Sequence, residues 1–472
     1  MVFSSPVFLF LFLPIVLMLV LAAGTLRARN TLLTIASLFF YAWGEGAFVV
    51  LMITMVLVNY ALALSIARWP GQRAWVVLAV LLNIGALVWF KYANFLVEIL
   101  NTLLSGGTTT PFVLAPIHLP IGISFFIFQG LSYVIDVHRG HVQAEQKPGP
   151  VALYVSMFPQ LIAGPIVRYR DVAADIGERR FDFELFASGI RRFVIGLSKK
   201  VLIADLAARV ADPIFDLDPD VLPASVAWLG LVAYAVQIYF DFSGYSDMAI
   251  GLGRMLGFRF LENFNFPYTA RSIREFWQRW HISLSTWFRD YLYIPLGGNR
   301  KGPTSTYMNL FIVFFLTGLW HGASWNFVVW GLMHGLFMVI ERLGAGRKLS
   351  ALPRAFGTVY VLLVVLMAWV FFRSSDITQA WHYILALWSP GHGDPMRYYP
   401  TYYLANDVTL ALLIGITGGL GWWKALTERS WGMLKRHPLP NWVPDLSILF
   451  LFVLCAMSLA TSTYHPFIYF RF

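Results

Sequence analysis

The chain has 472 residues, of which 58% are hydrophobic, 17% aromatic and only 13% charged, with a mean hydropathy of +0.64. Ordinary soluble domains carry about 25% charged residues, so the polar cover that a water-exposed surface needs is missing, and a soluble protein is excluded. The net charge of +10 does not point to nucleic acid, because the basic residues cluster in short loops between apolar runs, where cytoplasmic loops of membrane proteins concentrate Lys and Arg.

Met1 to Ala23 is apolar, lacks a basic stretch before it, and is followed by Arg27 and Arg29. This reads as an uncleaved first span with its amino end outside rather than a signal peptide. With about 20 apolar residues per crossing, spans are predicted near 6–24, 31–44, 47–66, 74–90, 118–137, 150–166, 223–240, 305–319, 323–340, 356–372, 405–422 and 445–461. Several are short or carry polar residues, so the expected architecture is an all-α polytopic membrane protein with roughly 9–12 crossings plus interfacial and re-entrant helices. The runs lack the alternation of a membrane β-barrel. No polar segment is long enough for a separate soluble domain, which makes residues 1–472 one membrane-embedded domain. Cys455, the only cysteine, sits in the apolar run Leu446 to Ala460 and offers neither a disulfide nor a thiolate metal site.

Two segments stand out by charge. Residues 168–200 hold eight basic residues and 254–301 another eight, out of 35 in the chain. The positive-inside tendency puts both on the cytoplasmic face. Within the second, Glu275 to Tyr291 reads as one amphipathic interfacial helix, with Glu275, Arg279, Ser283, Thr286 and Asp290 on one side and Trp277, Trp280, Leu284, Trp287 and Tyr291 on the other. His281 falls on the apolar side, facing protein or lipid.

Between Tyr307 and Ile340 there is no formal charge, and a straight helix of that length measures about 51 Å, well beyond a hydrocarbon core of about 30 Å. A break is therefore expected at Thr317-Gly-Leu-Trp-His321-Gly-Ala-Ser-Trp-Asn326. An ionisable residue inside a membrane is a functional candidate, although a histidine beside Trp also serves as a packing residue, and both readings of His321 stay open on the residues alone. His334 lies thirteen residues on, about 220° around a helix, so the two do not share one face. No H-E-x-x-H or cysteine pair is present, and no metal site is expected. Gly251-Leu-Gly253-Arg-Met-Leu-Gly257 mimics a dinucleotide loop but lacks its spacing and its strand setting, and reads as close helix packing. Asp241 and Asp247, beside an apolar span, are costly unless paired or hydrated; ion pairs with the nearby basic cluster and a role in the reaction are both open. A transporter, with His321, Asp241 and Asp247 forming a proton or ion path, is the alternative of a different class.

Four ordered motifs give a resemblance. Phe158-Pro-Gln-Leu-Ile-Ala-Gly-Pro165, the run from Tyr239 through Asp241 and Asp247 to Gly251, the run Glu275-Phe-Trp-Gln-Arg-Trp-His281 to Asp290, and Leu319-Trp-His-Gly322 resemble the membrane-bound O-acyltransferases. They are most similar to the AlgI-like bacterial branch of exopolysaccharide O-acetyltransferases, as are the opening Met-Val-Phe-Ser-Ser and the closing Phe-Ile-Tyr-Phe-Arg-Phe. The resemblance implies a ring of helices around a central tunnel in a bacterial inner membrane. It also implies acetyl-CoA as cytoplasmic donor substrate with no bound cofactor, His321 and His281 as catalytic residues, and an acceptor of alginate or cellulose type. Trp320, Trp277, Trp280, Ser285, Arg289, Asn299, Asp241 and Asp247 are expected along the tunnel or at the donor. Because the chain has no soluble surface on which to seat a polymer, the resemblance further implies a periplasmic serine-nucleophile (SGNH-type) acetyltransferase partner and a polysaccharide synthesis complex. D-alanyl transfer and peptidoglycan acetylation stay open within the same family. The chemistry suits the residues: a neutral imidazole, with a pKa near 6.5, accepts a hydroxyl proton at physiological pH.

Overall fold

The structure, a computed structural model, describes residues 1–106, 111–389, 393–422 and 442–461; the closing Phe-Ile-Tyr-Phe-Arg-Phe lies outside them. Among these residues there is helix and no strand. Six helices are long and apolar enough to cross a membrane, and three shorter apolar helices accompany them. The protein is an all-α polytopic membrane protein.

The chain divides into two compact units, residues 1–192 with 249–261, and residues 193–248 with 262–472. In the first unit, α1 (Leu13–Ala22), α2 (Leu26–Glu45), α3 (Phe48–Arg68), α4 (Arg73–Leu87) and α5 (Ile123–His138) lie where apolar runs are predicted. Buried Asn59 of α3 and Asn83 of α4 exchange reciprocal side-chain hydrogen bonds of 3.1 and 2.8 Å, which satisfies two amides that lipid cannot. The predicted span at 150–166 is corrected. Helix α6 (Pro148–Ser156) stops at Met157, and only the single turn Phe158–Leu161 follows, because Pro159 has no N–H to continue the ladder.

Helix α7 (Phe183–Ser198) runs on through Lys199–Ala204 into Asp205–Phe215. The longest helix, α8 (Ala224–Met255), has 32 residues. Of its most apolar window 78% is buried, against 11% for the last described helix (Trp442–Thr461), so α8 is a core element and the other presents its sides to lipid. The glycines of Gly251-Leu-Gly253 lie inside α8, where the Gly251 carbonyl abuts Gly189 of α7, as close helix packing requires.

In the second unit the predicted single helix over Glu275–Tyr291 is also corrected. It is two short helices, α9 (Ile273–Arg279) and α10 (Ile282–Phe288), the latter running on as a wider turn through Arg289–Tyr293. The break falls at Trp280 and His281, and His281 adopts the left-handed conformation with φ 42°. A non-glycine residue there is strained, and such strain persists only when surrounding structure holds it. The expected break after His321 is present. Helix α11 (Pro303–His321) ends on the histidine and α12 (Trp325–Ile340) starts four residues later. The two pack backbone against backbone: a Cβ on Gly318 meets the Phe327 carbonyl, and one on Gly331 meets the Phe314 carbonyl, so only glycine permits this approach. Helix α13 (Arg354–Arg373) then packs on α12.

Candidate active site

Helix α9 is fixed at its start by three acceptors. Ser272 Oγ, at the N-cap, accepts from the Glu275 amide at 3.0 Å, and the Glu275 carboxylate accepts from the amide of Arg271, one residue before the cap, at 2.9 Å. Glu341, at the end of α12, accepts from the amides of Ile273 and Arg274, adding negative charge where the helix dipole is positive.

Below that cap opens a cavity of about 920 Å³, at the upper end of the roughly 300–1,000 Å³ usual for ligand sites. Six arginines line it: Arg271, Arg274, Arg289, Arg342, Arg347 and Arg354. Two carboxylates, Glu275 and Glu341, share the wall; Glu275 is paired with Arg279 at 2.8 Å and Glu341 is held by the α9 amides. The balance favours an anionic ligand. Toward the interior the wall becomes apolar. Leu310, Val313, Phe314 and Thr317 of α11 line it at intervals of three, one and three residues, which is one face of a helix. The next position on that face, one turn beyond Thr317, is His321.

Of the residues expected from the sequence, Trp277, Ser285, Arg289 and Asn299 line this cavity. Asn299 is exposed and accepts hydrogen bonds from Tyr293 and, at 3.1 Å, from Arg342. His321, His281, Trp320 and Trp280 are buried and are not in its lining. Arg342, Arg347 and Arg354 are not among the residues expected from the sequence; their signal is the run of basic residues that follows the apolar face of α12.

Behind the cavity the histidines are joined by rings. His281 meets Phe242 at 4.7 Å and Trp320 at 5.9 Å, all edge to face. Trp320 lies 5.0 Å from His321, whose ring also meets Trp330 at 4.9 Å and Phe372 at 5.2 Å. Trp330 continues to His334 at 5.0 Å and to Trp277 at 5.8 Å, which returns to the cavity wall. Trp280 stacks on Phe276 at 5.6 Å, meets Trp369 in a tilted contact at 5.0 Å, and belongs to this aromatic core. Burial pushes the His281 imidazole far down, to about 3, so the ring is neutral with one nitrogen lone pair available.

Asp241 and Asp247 form ion pairs, both with lysine. Lys200 bridges Asp241 at 3.0 Å and Asp205 at 2.7 Å, and Lys199 pairs with Asp247 at 2.7 Å. Lys200 is itself buried and Lys199 is partly exposed; through these pairs the two lysines of the first basic segment hold the continuation of α7 against α8.

Comparison with known proteins accords with this arrangement. The family model of the membrane-bound O-acyltransferases matches residues 35–375. The chain is similar to a probable alginate O-acetylase of Azotobacter vinelandii, 42% identical over 506 residues with 100% of both chains covered. It is 36% identical to a peptidoglycan O-acetyltransferase of Helicobacter pylori over 420 residues, which is 80% of this chain and 78% of the relative. A teichoic acid D-alanyltransferase of Bacillus subtilis is 28% identical over 273 residues, 53% of this chain and 67% of the relative. The chain belongs to the membrane-bound O-acyltransferase family and is a membrane-embedded O-acyltransferase.

Proposed function

We propose that the protein moves acetyl groups from cytoplasmic acetyl-CoA across a bacterial inner membrane for O-acetylation of an exopolysaccharide of alginate or cellulose type. The observation that carries this reading is the arginine-lined cavity whose α11 wall leads, one turn past Thr317, to His321. Coenzyme A is anionic at its nucleotide end and slender along its pantetheine arm. Arg271, Arg274 and Arg347 suit the phosphates, while Trp277, Ser285 and Phe314 suit the arm. Arg289 and Asn299 belong to the donor mouth. Trp320 and Trp280 support the two histidines, and Asp241 and Asp247 support the helices behind them.

In the reaction a hydroxyl oxygen attacks the thioester carbonyl as neutral His321 accepts the hydroxyl proton. The carbon–sulfur bond breaks, an ester forms, and the imidazolium returns the proton to the departing thiolate, so coenzyme A leaves as the thiol. His281 is the second histidine of the site and helps to hold the reacting groups in place through its Nε2 acceptor, while the single hydroxyl hydrogen goes to His321. The acceptor hydroxyl belongs to a separate periplasmic serine-nucleophile acetyltransferase, which then modifies the polymer; full-length similarity to a probable alginate O-acetylase supports the polymer class. D-alanyl transfer is the weaker reading, since the relative of that name matches over 53% of this chain.

Purified protein in liposomes, supplied with radiolabelled acetyl-CoA, tests the proposal. Slow consumption alone, faster consumption with the partner, and acetyl-polymer only when the partner is present are expected. Efficient acetylation of free polysaccharide by this chain alone refutes the relay, and absence of any acetyl transfer with the partner refutes the reading as a whole.

A further inference from the structure

The segment ahead of α9 carries a buried asparagine, Asn263, which clasps the strained turn at His281 and ties it to α8. Its backbone carbonyl accepts from the Ile282 amide at 3.0 Å. Its side-chain Oδ1 accepts from the Ser283 amide at 3.2 Å and from Ser283 Oγ at 2.9 Å. Its Nδ2 donates to Ser246 Oγ of α8 at 3.0 Å. The same Oδ1 stands 3.2 Å from His281 Nδ1.

These contacts fix hydrogens that coordinates alone leave open. An amide N–H of the backbone can only donate, so the atom facing Ser283 N is the oxygen of Asn263, and the side chain cannot be turned the other way. An oxygen with only lone pairs, 3.2 Å from a ring nitrogen, requires that nitrogen to carry the proton; otherwise two lone pairs face each other inside the protein. Ser283 Oγ lies 3.4 Å from His281 Nδ1 but 2.9 Å from Asn263 Oδ1, so its hydrogen is committed to the amide. The neutral ring then has its lone pair on Nε2, which makes no hydrogen bond among the described residues.

We infer that Asn263 is a positioning residue that holds His281 as its Nδ1–H tautomer and so leaves Nε2 as the acceptor on the side of the reacting groups. The reactive half of this inference rests on the proposed function; the tautomer does not. The clasp also explains the left-handed turn, since the bonds to residues 281, 282 and 283 together over-determine it. Charged groups do not compete for the imidazole. Phe242 is its ring contact on α8, whose carboxylates Asp241 and Asp247 are engaged by lysines; on α11 its ring contact is Trp320, beside the titratable His321.

Two measurements test it. Solid-state nitrogen NMR of histidine-labelled protein in bilayers, with the His281 signals identified by difference from His281→Gln, is expected to show a protonated Nδ1 and a bare Nε2. The opposite tautomer overturns the inference, and this readout needs no turnover, so it stands apart from whether the protein moves acetyl groups. In kinetics, Asn263→Leu fills the space without an acceptor, whereas Asn263→Asp keeps an oxygen in place. Partners that orient functional histidines are typically worth about 10–100-fold in activity, so Asn263→Leu is expected to lose kcat on that scale with little change in KM for acetyl-CoA. Asn263→Asp is expected to recover most of it, with the acid limb of the pH–rate profile moved to higher pH, because a carboxylate favours the charged ring. Equal losses for both variants with no pH shift reduce Asn263 to a packing role, as does a folded Asn263→Leu with wild-type kcat.

Discussion

Between α9 and α10 the chain turns at His281, and between α11 and α12 it turns directly after His321, yet different interactions hold the two turns. Around His281 they are directional: amide, hydroxyl and carbonyl groups of Asn263, Ser283 and Ile282 fix each atom of the turn. Around His321 the ring contacts are with Trp320, Trp330 and Phe372, on helices of which two are brought together by Gly318 and Gly331. Hydrogen bonds dictate which nitrogen carries a proton, whereas a cage of rings dictates position and excludes water while leaving the imidazole able to gain and lose one. The first arrangement suits a fixed acceptor and the second a group that cycles.

That contrast can be broken experimentally. His321→Ala is expected to lower acetyl transfer by about 10²–10⁴-fold with unchanged elution from detergent; a folded variant of ordinary turnover makes the ring cage a packing device. Trp330→Ala removes a fully buried ring that touches His321 and is expected to cost about 3–5 kcal/mol of stability, read as a lowered Tm in detergent. No shift in Tm would mean that rings do not hold this turn. Replacing Arg274 and Arg347 together with Gln addresses the cavity mouth rather than either turn. KM for acetyl-CoA is expected to rise about tenfold, equivalent to about 1.4 kcal/mol, with kcat nearly unchanged because only uniform binding is lost; an equal fall in kcat places these arginines in the chemistry. The smallest effect is expected from Ser272→Ala, which removes one cap bond from α9 at about 1 kcal/mol, and its thermal shift should be the least of the set.

Much of the fold is legible in the sequence because apolar length is nearly sufficient to define a span: α3, α12 and α13 begin and end within a few residues of their runs. The break after His321 is legible because the uncharged run exceeds the hydrocarbon core and is interrupted by glycines and small polar residues. The break at His281 is not. The apolar and polar stripes of Glu275–Tyr291 continue through it, so periodicity carries no sign of the turn, whose cause lies eighteen residues upstream in Asn263. Lys199 and Lys200 count as basic surface in a sequence but are drawn inward by Asp241 and Asp247 of α8, a pairing that only the packing of two helices creates. The arginines of the cavity come from three separated stretches, and composition shows their number without showing that they converge.

Glu341 has a double attachment with a mechanical consequence. Its carboxylate forms part of the cavity wall and also accepts the first amides of α9, so the end of the helix that follows His321 is tied to the start of the helix that precedes His281. A ligand that draws this carboxylate away strands two amide donors and loosens the register of α9, while one that leaves it in place keeps both histidine turns in step. Glu341 thereby couples the cavity wall to the alignment of the two turns.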